Sequence, residues 1–161
     1  MNKKQAKRIR ILGKILFILY IGFLIYFLFL SDWYGREGVM DEYRYNLELF
    51  KEINRFITYR EELGAFAVFS NLFGNILIFM PFGFFLYLSK ASPLSRITLR
   101  GFLLSLSVEV CQYVFYLGLF EWDDMLHNSL GCLMGAACGK FIKTVWKLHR
   151  LHKLHGRKER E

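Results

Sequence analysis

A single carboxylate stands inside an otherwise apolar stretch of this sequence. Glu109 lies within residues 97–119, and Ser105, Gln112 and Tyr116 surround it at spacings of four and three residues, which places the four side chains on one face of an α-helix. A carboxylate in hydrocarbon is costly unless it is protonated or paired with a cation or hydrogen-bond donors. Glu109 is therefore the first candidate for ligand binding or acid–base chemistry.

Two other apolar stretches carry polar residues at a comparable depth. Asn71 and Asn75 stack on one helical face, and Asp123, Asp124 and Asn128 open the last stretch. We expect one of the two aspartates to cap that last helix, because N-cap carboxylates accept the free backbone N–H groups. A helix bundle would gather the whole set into one polar pocket, so the predicted ligand-binding residues are Asn71, Asn75, Glu109, Gln112, Asp123, Asp124 and Asn128.

The chemistry of this set allows four functions. The leading hypothesis is binding of a polar headgroup or a peptide-like moiety. The second is an enzyme for a lipid-linked substrate, with Glu109 as general acid or base and Asp124 as its partner, although no nucleophilic Ser or Cys beside a base is evident. The others are proton-coupled transport through Glu109 and a scaffold whose amides only join helices.

No cofactor or metal is expected. The three cysteines, Cys111, Cys132 and Cys138, lie in apolar segments without a C-x-x-C pair, so they predict neither a zinc site nor a disulfide framework. His127 would need Asp124 and Glu109 close by in space to form a metal site, and the sequence cannot supply that proximity. The metal prediction is therefore none.

The elements that carry the polar residues are apolar enough to lie in lipid. Of the 161 residues, 54% are hydrophobic, more than a soluble domain of this size needs. A bilayer core takes ~20 helical residues, and windows of that length occur at about 11–30, 67–88, 97–119 and 126–146. We predict an all-α polytopic membrane protein, a single domain of four transmembrane helices in a bundle.

The charges between these windows predict the orientation. The N-terminal segment carries six basic residues and no acidic ones, and the segments at 89–100 and 147–161 are also basic. The loop at 31–66 has five basic against eight acidic residues, and the turn at 120–125 is acidic. Because cytoplasmic segments retain the positive excess, both termini are predicted in the cytoplasm. The formal charge of +8 thus follows membrane topology, and no nucleic acid partner is expected.

The outer loop is predicted to contain an amphipathic helix. Tyr43, Leu47, Phe50, Ile53 and Ile57 recur at spacings of three and four residues, and charged residues fill the other positions. Such a helix would lie on the outer leaflet, roof a cavity between the spans, or pack on the bundle.

The last window also carries glycines at four-residue steps. Gly131, Gly135 and Gly139 form one face that would let another helix backbone approach closely. The favoured interpretation is a helix-packing seam within the chain, and the alternative is a homodimer through the same face.

Three motifs taken in order make the sequence resemble the VanZ-like family, named for a teicoplanin-resistance protein of Gram-positive bacteria. They lie at residues 71–83 (NLFGNILIFMPFG), 105–112 (SLSVEVCQ) and 123–131 (DDMLHNSLG) running on to Gly135. The stretch from Asn46 to Ile53 is similar to the family's N-L-x-P-F element, with Leu49 in place of the usual proline. The resemblance covers about residues 46–141.

The resemblance implies a multi-pass protein of the bacterial cell membrane. The family's prototype lowers susceptibility to lipoglycopeptide antibiotics by reducing drug binding at the cell surface. Cell-wall precursor lipid, or the glycopeptide that targets it, is the ligand class this implies, with membrane lipid as the surrounding partner. The family has no settled catalytic residues, so the resemblance transfers motifs and assigns no roles.

Overall fold

The computed structural model describes residues 3–30 and 45–158, and most of them are helical. The helices are α1 (Lys3–Phe29), α2 (Lys51–Thr58), α3 (Arg60–Leu63), α4 (Ala65–Ser89), α5 (Leu94–Val114) and α6 (Trp122–Lys158). Two short strands, β1 (Tyr45–Asn46) and β2 (Phe120–Glu121), pair in parallel. The prediction of an all-α fold is confirmed.

Three helices in the described part of the chain are long and apolar enough to cross a membrane. They are α1 from Lys4, α4 and α5. In α6 the apolar stretch is interrupted by Asn128 and by Lys140 and Lys143, and this helix does not reach the same apolarity. The chain is therefore a membrane protein with three candidate spans, and the predicted fourth crossing stays a prediction.

Helices α4 and α6 form the centre of the bundle through glycine contacts. Gly131 faces the Ile76 carbonyl, and Gly135 faces the Met80 carbonyl four residues further along both helices. Because both contacts advance in the same direction, the two helices run parallel. Gly83 of α4 in turn lies against the backbone of Cys132. A side chain at any of these glycines would collide with backbone atoms, so glycine is what permits the close approach.

The glycine face that the sequence predicts is thus packed against α4 within the chain. The contact of Gly139 with α4 is less close than those of Gly131 and Gly135, since a Cβ atom at Gly139 would be 3.3 Å from the Phe84 carbonyl oxygen. One turn further, Lys143 Nζ donates 2.8 Å hydrogen bonds to the carbonyls of Tyr87 and Leu88. These carbonyls belong to the last turn of α4, where a cation satisfies free acceptors and complements the helix dipole.

Helix α1 joins the bundle through a small apolar cluster. Leu24 and Leu28 pack with Phe79 of α4 and Val108 of α5. Tyr20 adds a 2.8 Å hydrogen bond from its hydroxyl to the Ile78 carbonyl. This carbonyl is next to that of Leu77, whose helical partner is lost because Pro81 has no N–H, and α4 continues through the proline.

Helix α5 ends earlier than the apolar pattern predicts. The N–H of Leu117 donates to the Gln112 carbonyl at 2.8 Å, and that of Tyr116 donates to the Tyr113 carbonyl at 3.2 Å. Tyr116 has φ of 57°, so it is the left-handed residue of a Schellman motif. The prediction that Tyr116 continues the helical face of Glu109 is therefore wrong. Because α5 stops at Val114, Glu109 lies about 7.5 Å from the helix end, closer than the predicted window implies.

The predicted amphipathic helix of the loop is shorter than its periodicity indicates. Tyr43 lies outside the described residues, and Leu47 and Phe50 precede α2. Within α2 the buried residue is Phe56, while Ile57 is 48% exposed. Phe56, which the predicted apolar face did not include, is thus the buried residue of this helix, while Ile53 of that face is half-buried.

Candidate functional site

A cavity of about 520 Å³ lies at one end of the bundle, hereafter the cavity end. At this end α1 and α5 terminate and α4 and α6 begin, so each of the four helices contributes a terminal turn to one space. Helix α2 and the residues Gly118, Leu119 and Glu121 also contribute to its wall. The alternating direction of the helices brings residues from distant parts of the sequence together.

Six of the seven predicted ligand-binding residues line this cavity. They come from three helices, in each case from the terminal turns that face the cavity end. Asn75, Glu109, Gln112 and Asn128 are buried, with exposed fractions of 7% or less. The two candidates for acid–base chemistry, Glu109 and Asp124, are both in the set, which is Asn71, Asn75, Glu109, Gln112, Asp124 and Asn128.

Asp123 is the predicted residue that does not line the cavity, and it has another role. Its Oδ1 accepts the N–H of Phe50 at 2.6 Å, and its Oδ2 accepts the N–H of Glu52 at 3.2 Å. Asp123 thus caps α2. The prediction that Asp123 or Asp124 caps its own helix is wrong, because α6 already begins at Trp122 and both aspartates lie in its first turn.

Several of the polar side chains are held by hydrogen bonds across the bundle. Gln112 Nε2 donates to the Leu28 carbonyl at 2.8 Å, which ties α5 to the last turn of α1. Glu109 Oε2 accepts the backbone N–H of Glu121 at 3.1 Å, which orients this carboxylate towards β2. The strand pair places Asn46 opposite Glu121, so the loop is fastened at the same point.

Asn128 is only half satisfied. Its Nδ2 donates to Ser105 Oγ at 2.8 Å, and both side chains are buried, with 2% and 0% exposed. Its Oδ1 is buried as well, and it finds no hydrogen-bond partner among the residues that the structure describes. A buried acceptor without a partner costs about 1–3 kcal/mol. Such a group at a cavity wall is ready to accept a hydrogen bond from a ligand.

The cavity also contains residues that the sequence did not single out. Helix α2 supplies Glu52, Arg55 and Phe56, α4 supplies Ser70, and β2 supplies Glu121. Arg55 Nη2 pairs with Glu52 Oε2 at 2.6 Å. Glu52 and Arg55 belong to the charged residues that alternate with the apolar residues of the loop. Helical periodicity alone predicts that such charged residues face solvent, so it could not place them in the cavity.

Glu121 is the cavity residue whose pKa departs most clearly from the ordinary value for its side chain. Burial, with the added effect of the negative charges of Asp124, Glu52 and Asp123, raises its pKa to about 8, although Arg55 acts in the opposite direction. This carboxyl group therefore keeps its proton near neutral pH, because burial and the nearby carboxylates both disfavour its charged form.

The same carboxylates do not form a metal centre. Among the described residues, no group of three or more His, Cys, Asp or Glu side chains is placed to hold a metal ion. The carboxyl groups that line the cavity come from four elements, α2, α5, β2 and α6.

The fold and the site define a helical membrane protein with a polar cavity at one end of its bundle. Over residues 17–143 the sequence matches the VanZ/LLP1 family, and the chain belongs to this family. The match includes α4, α5 and the cavity half of α6, which carry all six predicted residues of the cavity wall. No curated protein and no solved structure matches the chain.

Proposed function

We propose that this protein binds the polar part of an amphiphilic ligand in the cavity, at the outer leaflet of a bacterial cell membrane. Cell-wall precursor lipid and the glycopeptide antibiotics that target it are the ligand classes, and reduced susceptibility to a teicoplanin-type drug would be the outcome for the cell. The observation that carries the proposal is the convergence of amides and carboxylates from α4, α5 and α6 on one cavity of about 520 Å³. A space of this size accommodates a headgroup or a short peptide.

The outward location follows from the charge distribution. With the basic N-terminal segment and the basic tail in the cytoplasm, the ends of α1 and α5 and the starts of α4 and α6 face outwards, provided that α6 crosses the membrane. The acidic loop and the acidic turn at 120–125 then lie on the outer side. The cavity would open where lipid-linked precursors and antibiotics meet the protein.

The test uses two variants of the cavity wall. Glu109→Gln replaces a buried carboxyl group whose Oε2 accepts the Glu121 N–H, and Asn75→Ala removes a buried amide. Because leaving a buried hydrogen-bonding group without its partner costs about 1–3 kcal/mol, we expect binding to weaken about tenfold or more. Binding of fluorescent cell-wall precursor lipid and of teicoplanin is measured on the purified protein in nanodiscs, and teicoplanin susceptibility is measured in cells.

Matched controls lie outside the cavity. Glu62→Gln changes an exposed carboxylate of α3, and Asn54→Ala changes an exposed amide of α2. Both should bind as the unchanged protein does. Unaltered binding and unaltered susceptibility in both cavity variants, at equal expression, would refute the proposal. Loss of folding yield without loss of binding per folded molecule would instead support the scaffold alternative.

An enzyme is the second candidate, because Glu109 and Asp124 line the same cavity and Glu121 has a pKa near the operating range of a general acid or base. Binding leaves the mass of a lipid-linked substrate unaltered, whereas catalysis changes it. Mass spectrometry of the precursor lipid after incubation with the protein therefore separates the two functions.

A further inference from the structure

Three basic side chains line a cleft at the end of the bundle opposite the cavity. Lys7, Arg10 and Lys14 follow one another at spacings of three and four residues, so they lie on one face of α1. The cleft has a volume of about 470 Å³, and Ala6 and Ile11 complete its lining. It is separate from the cavity, because α1 contributes its first turns to the cleft and its last turn to the cavity.

The three cations of this cleft are available to an anion. All of them are exposed, and α1 contains no acidic residue. None of the ion pairs among the described residues involves Lys7, Arg10 or Lys14. Arg and Lys are the side chains that bind phosphate groups, Arg as a planar fork of donors and Lys as a point charge. The cleft therefore fits a phosphate-bearing ligand.

The packing of α1 on α4 gives the depth of the cleft. The Tyr20 hydroxyl reaches the Ile78 carbonyl, and nearer the start of α1 the Phe17 ring lies 5.6 Å from the Phe85 ring. The two helices are thus antiparallel, and Lys14, about one turn before Phe17, lies level with the last turn of α4. The apolar span of α4 ends there, so the cleft lies where lipid headgroups begin.

Apolar side chains continue the same face of α1 from the cleft towards the cavity end. Ile11, Ile18 and Ile25 follow at seven-residue steps, and all three are exposed among the described residues. A step of seven residues is close to two helical turns, so they lie on the same side as the cations. Cations come first along this face and an apolar strip follows, which is the order of headgroup and acyl chain in a phospholipid.

We propose that this face of α1 binds an anionic phospholipid, with Lys7, Arg10 and Lys14 holding its phosphate group and Ile11 and Ile18 packing along an acyl chain. The proposal does not depend on the ligand of the cavity. A soluble polyanion would satisfy the same cations, but it would leave the isoleucines without a partner.

Membrane topology by itself also favours basic residues at this end. Topology depends on how many Lys and Arg residues lie there, whereas a lipid site depends on how they are arranged. Helix α6 offers a comparison, because Lys147, Arg150 and Lys153 are exposed and lie beyond Lys143, which binds the last turn of α4. These three residues carry the same charge as the three cations of the cleft.

The test measures how many lipids the full-length protein binds in detergent. Native mass spectrometry follows titration with phosphatidylglycerol and with phosphatidylcholine of the same acyl chains, and we expect phosphatidylglycerol to bind at least about tenfold more tightly. The α1 triple variant, Lys7→Gln with Arg10→Gln and Lys14→Gln, should lose this preference. The α6 triple variant, Lys147→Gln with Arg150→Gln and Lys153→Gln, should keep it.

A matched pair of single substitutions keeps the test valid if a triple variant does not fold. Arg10 lines the cleft, whereas Arg8 is an exposed arginine of the same helix that does not. Arg10→Gln should weaken binding of phosphatidylglycerol about fivefold, and Arg8→Gln should leave it unchanged. Thermal unfolding checks that each variant is folded.

Three results would overturn the proposal. The first is equal affinity of the unchanged protein for the two lipids. The second is an equal loss of phosphatidylglycerol binding in the α1 and α6 triple variants, or in the two single variants, since diffuse attraction to the charged end would then explain binding. The third is displacement of the lipid by excess glycerol 3-phosphate, which has the phosphate group but no acyl chain and should not compete.

Discussion

Glu121 links the charge of the cavity to the stability of the fold. Its carboxyl group is half-buried between Asp124, Glu52 and Asp123, and burial is the first cause of its raised pKa. Glutamate ordinarily has a pKa of 4.5, against about 8 in the folded protein. The folded state therefore binds this proton more tightly than the unfolded state does.

The resulting prediction concerns pH. Since the folded protein prefers the protonated form, the contribution of Glu121 is most favourable below about pH 4.5 and is lost progressively as the pH rises towards 8. In Glu121→Gln this loss should disappear, so the thermal unfolding temperature of the variant in detergent should decline less across that window. Glu62→Gln serves as the exposed control, and parallel pH profiles for all three proteins would contradict the prediction.

Two adjacent aspartates at the start of α6, Asp123 and Asp124, have different roles. Asp123 and Asp124 are separated by about 100° around the helix, so one faces α2 and the other the cavity. Both are acidic residues at a helix start, and the helix dipole favours both equally. Contact with the loop, not residue type, distinguishes them.

At the scale of elements, α2 depends on its surroundings. It has eight residues, too few for an isolated helix to be stable in water. Phe56 packs beneath it, and Asp123 satisfies the N–H groups of Phe50 and Glu52 at its start. The wall that α2 adds to the cavity, with Glu52 and Arg55, is therefore secured by a side chain from α6.

Removing this cap should loosen α2. In Asp123→Ala both backbone donors lose their acceptor, at a cost of about 0.5–2 kcal/mol. Amide hydrogen exchange across Lys51–Thr58 should become faster, while exchange in the middle of α4 should not change. Glu61→Ala, which removes an exposed carboxylate from α3, is the control. Unchanged exchange in α2 of the Asp123 variant would show that Phe56 and the strand pair suffice to hold it.

For the whole molecule, the parallel contact of α4 and α6 determines how closely the cavity walls approach. Gly131 is one turn below Asn128, and Gly135 is one turn further. Each lies against a carbonyl of α4, so the spacing of the two helices at the cavity end is defined by backbone contact. The depth of Asn75 relative to Asn128 follows from this spacing.

A matched pair of alanine substitutions tests this contact. A Cβ atom at Gly135 would collide with the Met80 carbonyl, whereas one at Gly22 of α1 meets no atom within 4 Å in the described part of the chain. Overpacking costs about 1–3 kcal/mol, while alanine is intrinsically better than glycine inside a helix. Gly135→Ala should lower the thermal unfolding temperature and Gly22→Ala should not; an equal effect of the two would disprove close packing at Gly135.

The local periodicity of the sequence was sufficient to predict much of the fold and part of the candidate site. The apolar windows predicted α1, α4 and α5 because burial in lipid requires long uninterrupted apolar helices. Helical spacing placed Asn71 with Asn75 on one face and Glu109 with Gln112 on another. These relations involve residues one or two turns apart, so the sequence alone determines them.

The rest depends on contacts between distant residues. Asp123 and Phe50 are 73 residues apart, and no periodicity relates them. The same holds for Glu109 and the backbone of Glu121, whose approach requires α5 to end at Val114 and the chain to turn at Tyr116. Only the tertiary structure decides that Asp123 leaves the cavity and that Glu52, Arg55 and Glu121 enter it, because this outcome depends on how the loop packs on the bundle. The sequence by itself determined which residues are polar at depth, and the packing determined which of them share a cavity.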